Sequence, residues 1–223
     1  MRTIGTVVST VFVLFLSGCA TIMTGAINSI PDPMYSFDLS SPVIVTVPSA
    51  ANNALQSKYF IAKVVSALRN KGFSNVYTEN DIGQAKDSLK VIFYVSVDKK
   101  TSTYTYRSAD YGQVPDGSKT NCDGYNYGYS NTVNCTTTQK TKSGVIGYSD
   151  KTGYQTGLFF YLSAFDIKSQ QQVLSVSAAS LEDSCTDESV YDFLADESMT
   201  RMRFDQIIKQ EFSVKMPKGY RCN

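Results

Sequence analysis

Across residues 108–153 the apolar pattern of the chain collapses, and Gly, Asn, Ser, Thr and Asp take over. A stretch of that length and composition cannot build a hydrophobic core, so the core must come from the segments on either side. Before it, residues 43–47 (Val-Ile-Val-Thr-Val) form a β-branched run closed by Pro48, which reads as a buried strand. Leu55, Phe60, Ile61, Val64, Val65 and Leu68 recur largely at threes and fours and predict a helix, with Asn53 and Gln56 as a capping pair and Gly72 as its left-handed stop. Phe73 and Val76 open a second strand, residues 89–97 a third, and residues 101–107 return as its hairpin partner. After the polar stretch, residues 158–167 and 173–179 read as two strands joined by a turn at 168–171. Val190, Phe193, Leu194, Met202, Phe204, Ile207, Ile208 and Phe212 then mark a final helix or broken pair of helices, with Asp187 and Glu188 at its positive end and Pro217 closing it. This order predicts an α+β domain: a mostly antiparallel or mixed sheet with two main helices packed on one face.

The chain has 223 residues, 42% of them hydrophobic, which suits one domain with its own core. It contains no histidine, so the imidazole that most serine-nucleophile, general-base and zinc chemistries use is missing. The 21 basic and 20 acidic residues leave no excess positive field to attract nucleic acid or anionic lipid. G-x-S-x-G, phosphate-loop and dinucleotide motifs are also absent from the sequence. These features point to a protein that is not an enzyme and uses no cofactor.

The first eighteen residues read as a targeting segment. Met1-Arg2 is a short positive start, and residues 4–16 are an apolar run too short for a spanning helix. The run ends in Leu16-Ser17-Gly18-Cys19, which resembles the lipobox of bacterial lipoproteins. The resemblance implies a signal peptide over residues 1–18, cleavage between Gly18 and Cys19, and acylation of Cys19, with palmitate among the chains. Such an anchor holds a protein stably on a membrane without spanning it. Ala20, rather than Asp, after the cysteine implies the outer membrane, with the domain on its periplasmic face. Residues 19–41, rich in turn formers, read as the lipidated N-terminus and a tether, and residues 42–223 as a single periplasmic domain carrying the insertion at 108–153.

With Cys19 assigned to lipid, Cys122, Cys135, Cys185 and Cys222 remain, an even number suited to two disulfides in an oxidising compartment. Four cysteines permit three pairings. The favoured one joins Cys122 to Cys135, both in the polar stretch, and Cys185 to Cys222, tying the C-terminus to the start of the last helix. Closing a loop of the first size contributes roughly 3 kcal/mol in the chain-entropy model. A metal site is not expected, because no C-x-x-C occurs and no calcium-loop pattern accompanies the acidic run Glu182, Asp183, Asp187, Glu188, Asp192, Asp196 and Glu197. Carboxylate pairs such as Glu182 with Asp183, or Glu79 with Asp81, carry nothing that separates them from surface acids.

Nine of the fifteen tyrosines lie between Tyr104 and Tyr161, and Tyr125, Tyr127 and Tyr129 alternate inside the Cys122–Cys135 span. On an extended backbone, period two places these three rings on one face, a candidate binding surface for a partner or for sugar rings. The competing reading is that the rings only shield a hairpin lacking other hydrophobes.

The layout from Val43 to Pro217 resembles small outer-membrane lipoproteins of Gram-negative bacteria, in which a helix ending as Leu68 to Phe73 does here runs into a strand. More loosely it is similar to periplasmic modules of curli-secretion lipoproteins and of lipoprotein activators of peptidoglycan synthases. The resemblance implies a membrane-anchored interaction or scaffold module whose partner is an envelope protein. The alternative is a protein that binds or processes peptidoglycan.

Overall fold

The computed structural model describes residues 21–127, 130–217 and 222. The protein is α+β and dominated by one mixed seven-stranded sheet. Its strands are β1 (Ile22–Pro31), β2 (Val43–Thr46), β3 (Val76–Thr78), β4 (Val91–Tyr127), β5 (Ser130–Asp166), β6 (Gln172–Ser180) and β7 (Ile208–Lys215). Their spatial order is β3-β2-β4-β5-β6-β1-β7, with β3-β2-β4 parallel and β5-β6-β1-β7 antiparallel. The helices are α1 (Ala54–Lys58), α2 (Ile61–Asn70) and α3 (Asp187–Arg201), with a short 3-10 helix at Gly83–Ser88. The chain divides into two compact units: Thr101–Gln155 forms the second, and the residues before and after it form the first.

In the first unit, alternate residues of each strand enter one core. Val91, Phe93, Val95 and Val97 of β4, Leu158, Phe160, Leu162 and Ala164 of β5, and Leu174, Val176 and Ala178 of β6 are buried together with Val64, Val65 and Leu68 of α2 and Val190, Leu194 and Met199 of α3. Burying a Leu, Val or Phe side chain fully contributes about 1.5–3 kcal/mol, so these rows dominate the stability of the unit. Helix α2 ends as its sequence predicts: Gly72 has φ +104°, Gly72 N donates to Arg69 O at 2.9 Å and Phe73 N to Leu68 O at 3.2 Å, the paired bonds of a Schellman stop. Helix α3 begins at Thr186, whose Oγ1 accepts from Ser189 N, with Asp187 and Glu188 in the first turn.

Four expectations are corrected. Residues 22–31, expected within a tether, are strand β1, hydrogen-bonded to β6 on one side and β7 on the other. Met23 and Ile27 face the core, and the small residues read as turn formers are there because neighbours come close. A Cβ at Gly25 would stand 2.8 Å from Phe212 Cζ. The rest of the expected tether is mostly exposed but tied to the domain: Asp32 N donates to Val173 O, and Phe37 joins an aromatic cluster with Phe73, Phe93 and Phe204. The domain therefore starts before residue 42.

The predicted first helix is two. The break falls at Tyr59 and Phe60, whose N–H groups donate to Gln56 O and Ser57 O; Ser57, buried, donates to Asn53 O and accepts from Val97 N, and Leu55 is exposed. Asn53 makes no side-chain cap; its amide reaches Val97 O instead. Residues 208–212, expected to be helical, belong to β7, with Phe212 packed on Phe193 and under the Arg201 guanidinium. Finally, residues 101–107, expected to return as a hairpin partner of residues 89–97, continue the same strand β4; β4 and β5 run on into the polar stretch, and the second compact unit spans Thr101–Gln155.

Burial, with Asp166 and Asp38 adding to it, pushes the Tyr35 hydroxyl up to about 12; burial, followed by Asp187 and Asp98, does the same for Tyr191. Unfolded tyrosine ionises near 10. Both groups therefore contribute stability that is fully present below pH ~10 and lost as pH rises from ~10 to ~12. Urea unfolding midpoints should hold between pH ~8 and ~10 and fall above that, and the fall should be shallower in Tyr35→Phe; a midpoint flat through pH ~11.5 would contradict the assignment.

Candidate functional site

The second unit is built from paired strands, and its described residues form no core. Among its described residues every side chain is exposed or partly exposed. Tyr104, Tyr111, Tyr148 and Tyr154 are 50%, 71%, 61% and 74% exposed. What holds the strands is cross-strand contact: Arg107 lies over the Tyr148 ring at 5.4 Å, Lys142 pairs with Asp116 at 2.8 Å, Ser149 donates to Asp110 at 2.9 Å, and Thr120 and Thr137 share a hydroxyl bond. Gly153 lies under Tyr104 and Gly112 under Ile146, so closely that a Cβ at either position would come within 2.7 Å of the covering side chain. A large side chain laid over a glycine on the neighbouring strand supplies the packing that the glycine lacks.

Cys122 on β4 is bonded to Cys135 on β5, and Cys185 to Cys222. Cys185 stands immediately before the Thr186 cap of α3, so its bridge ties the chain end to that helix start. Of the expected aromatic surface, Tyr125 and Tyr127 lie on β4 with side chains outside the described residues, and Tyr129 lies outside them altogether. Gly18 and Cys19 are outside them as well. The acidic residues of the first unit are largely engaged in structural bonds. Lys63 bridges Asp192 and Asp196 of α3, Lys99 pairs with Asp187 at 2.7 Å and Arg201 with Glu197 at 2.7 Å. Glu79 accepts from Thr46 Oγ1, Glu182 from Ser184, and Asp81 from Thr78 N–H and Oγ1, bonds that hold the Asp81 carboxyl below the usual range.

A second surface, which the sequence did not single out, lies on the strand positions opposite the buried rows of the first unit. There Phe159 and Tyr161 of β5 stand parallel, with ring centroids 6.0 Å apart. The Lys100 ammonium sits 5.3 Å and 5.6 Å from the two centroids, and the Tyr161 hydroxyl, ahead of Asp98, holds it above its ordinary pKa. Beside the rings runs a groove of about 480 Å³, floored by Ala26, Asn28, Ser177 and Ala179 and walled on the far side by Lys209 and Glu211. The register explains its shape: Phe159 pairs with Ala179, Ala179 with Ala26, and Ala26 with Glu211, so two strands of short side chains lie between taller ones. The signal was present in the run Leu158-Phe159-Phe160-Tyr161-Leu162, which is apolar at every position and so belongs to a strand covered on both faces rather than one.

No family model matches this chain, and no curated protein matches it. Among solved structures it is similar to PelC from Paraburkholderia phytofirmans, crystallised as a dodecamer, at 12% identity over 79% of this chain and 96% of that one, with a TM-score of 0.38. A PDZ domain protein from Parabacteroides distasonis is similar at 10% identity over 87% of this chain and 39% of that one, also with a TM-score of 0.38. Likenesses this distant specify neither fold nor function.

Proposed function

We propose that the chain is an outer-membrane lipoprotein, cleaved between Gly18 and Cys19 and acylated at Cys19, that acts on the periplasmic face as a non-enzymatic interaction or scaffold module. In this reading the first unit is the scaffold, with its two main helices on one face of the sheet, and the second unit is the part that engages an envelope protein. The observation that carries the proposal is the composition of the second unit: it buries none of its described side chains, is closed by the Cys122–Cys135 bond, and presents tyrosines to its surroundings. Tyrosine supplies apolar area and a hydroxyl at small entropic cost, which suits a surface made to be covered by a partner.

The test has two parts. Palmitate labelling should mark the wild-type chain and be abolished in Cys19→Ala; a wild-type chain that takes up no label removes the anchor from the proposal. A photo-crosslinking residue at Tyr111 or Tyr154 should capture a discrete envelope protein in living cells. Loss of that capture, together with sedimentation of the chain on purified sacculi, would instead favour the peptidoglycan-binding alternative.

A further inference from the structure

We infer that the face of the first unit carrying Phe159 and Tyr161 rests on the lipid surface to which Cys19 is attached. The inference builds on the anchor proposed above and adds the orientation of the domain on it. Its first support is chain length. A tether over residues 19–41 would let the domain stand well away from the membrane, but residues 22–31 are β1, and Tyr35 and Phe37 of the loop after it lie against the core. Thr21 O accepts from Met216 N at 2.8 Å, and Ile22 is paired with Lys215. Two residue steps separate Cys19 from Thr21, and a fully extended chain covers at most about 7 Å in two steps. An acylated Cys19 therefore holds the start of β1 within about one headgroup layer of the bilayer.

The second support is what that face presents. Ile22 and Leu181 are 59% and 56% exposed, although each is a large aliphatic residue beside the sheet. Ile22 alternates with Met23 of the core, so it points the opposite way, to the same side as its partner Lys215. Leu181 adjoins the aromatic pair: the Cβ position of Gly157 lies 3.4 Å from Leu181 Cδ2 and 3.0 Å from Phe159. Aliphatic tips, two ring systems and flanking lysines form the chemistry of a membrane interface, where rings settle at headgroup depth and lysine stems lie along apolar surface with the ammonium on phosphate. Lys100 and Lys215 are both exposed on this side, and the Lys100 carboxylate partner, Asp98, is less exposed than the lysine itself. Glu211, flanked by Lys209 and Ser213, lies along the far wall of the groove. Phe159 and Tyr161 are partly buried, while Ile22 and Leu181 beside them are exposed, and the anchored bilayer is a cover for this face that the chain length brings within reach.

The chain has no tryptophan, so one substitution makes a unique reporter. The lipidated full-length mature protein carrying Phe159→Trp is reconstituted into phosphatidylethanolamine–phosphatidylglycerol vesicles with and without brominated acyl chains. Tyr59→Trp, at the exposed end of α1, serves as the comparison, and Tyr161→Trp replaces Phe159→Trp if the latter does not fold. The expected result is emission shifted to the blue and quenched by bromolipid several-fold more strongly than Tyr59→Trp. The excess quenching should be lost when Ile22→Asp and Leu181→Asp are added, while flotation with the vesicles persists through the acyl chains. Protein that floats but shows no excess quenching at either position overturns the inference and leaves the anchor standing. Protein that does not float overturns the anchor and the inference together.

Discussion

Deleting Ile22–Pro31 is expected to leave a chain that does not fold, whereas removal of a tether would cost nothing. Strand β1 lies between β6 and β7, and it is the bonded neighbour of β7 within the sheet. Its removal takes Met23 and Ile27 out of the core, each worth about 1.5–3 kcal/mol when fully buried. It also strips β7 of its ladder, exposes Phe212 and the α3 residues beneath it, and leaves a run of β6 backbone groups unpaired. Those losses together match or exceed the 5–15 kcal/mol by which a whole domain is ordinarily stable. Far-UV circular dichroism and a urea titration of the deleted chain should show no cooperative transition. A cooperative transition with the wild-type midpoint would mean that β1 is dispensable and that the segment is a tether after all.

Why the tether reading arises from the sequence shows where the fold is legible and where it is not. The strands β2 and β6, the Leu158–Asp166 end of β5 and the helix α2 announce themselves because their buried positions carry large apolar side chains at the period of the element. In β1 the inward positions between Met23 and Pro31 include Gly25 and Ser29, chosen for the closeness of Phe212 and of the core. In a single sequence, a small residue that makes room for a neighbour looks the same as a turn former. Strand β7 fails for a different reason. Ile208 and Phe212 stand four apart, as on a helix, and Gln210 occupies the position between them where alternation would ask for an apolar residue. Among its described residues the second unit has no buried row, so no period marks it; its order comes from pairs such as Arg107 with Tyr148 and Tyr104 over Gly153, which exist only once the strands are opposed. The aromatic face of the first unit was legible in principle, since Phe159 and Tyr161 interrupt the polar alternation expected of a strand covered on one side.

Excising Thr101–Gln155 and joining Lys100 to Thr156 through Asn-Gly is expected to do the opposite of deleting β1: the first unit should fold with its stability changed by no more than about 1 kcal/mol, while capture of the partner is lost completely. The excised residues contribute no described side chain to the buried core, and the division of the chain into compact units falls at these two junctions. At the start of the second unit the two strands are already opposed, with Ser102 Oγ near Gln155 O, so a two-residue turn of the kind that favours hairpins can connect what remains. Shortening the connection lowers the entropy of closing it, by about 0.6 kcal/mol per halving of loop length, which favours the folded first unit slightly. The Cys185–Cys222 bond and the α3 cap stay in place. Urea unfolding of the excised chain measures the first half of this expectation, and co-purification from crosslinked envelopes the second. An excised chain that still recovers the same envelope protein would move the binding surface to the first unit. One that unfolds would show that the excised residues, although none of the described ones is buried, are needed for the first unit to fold.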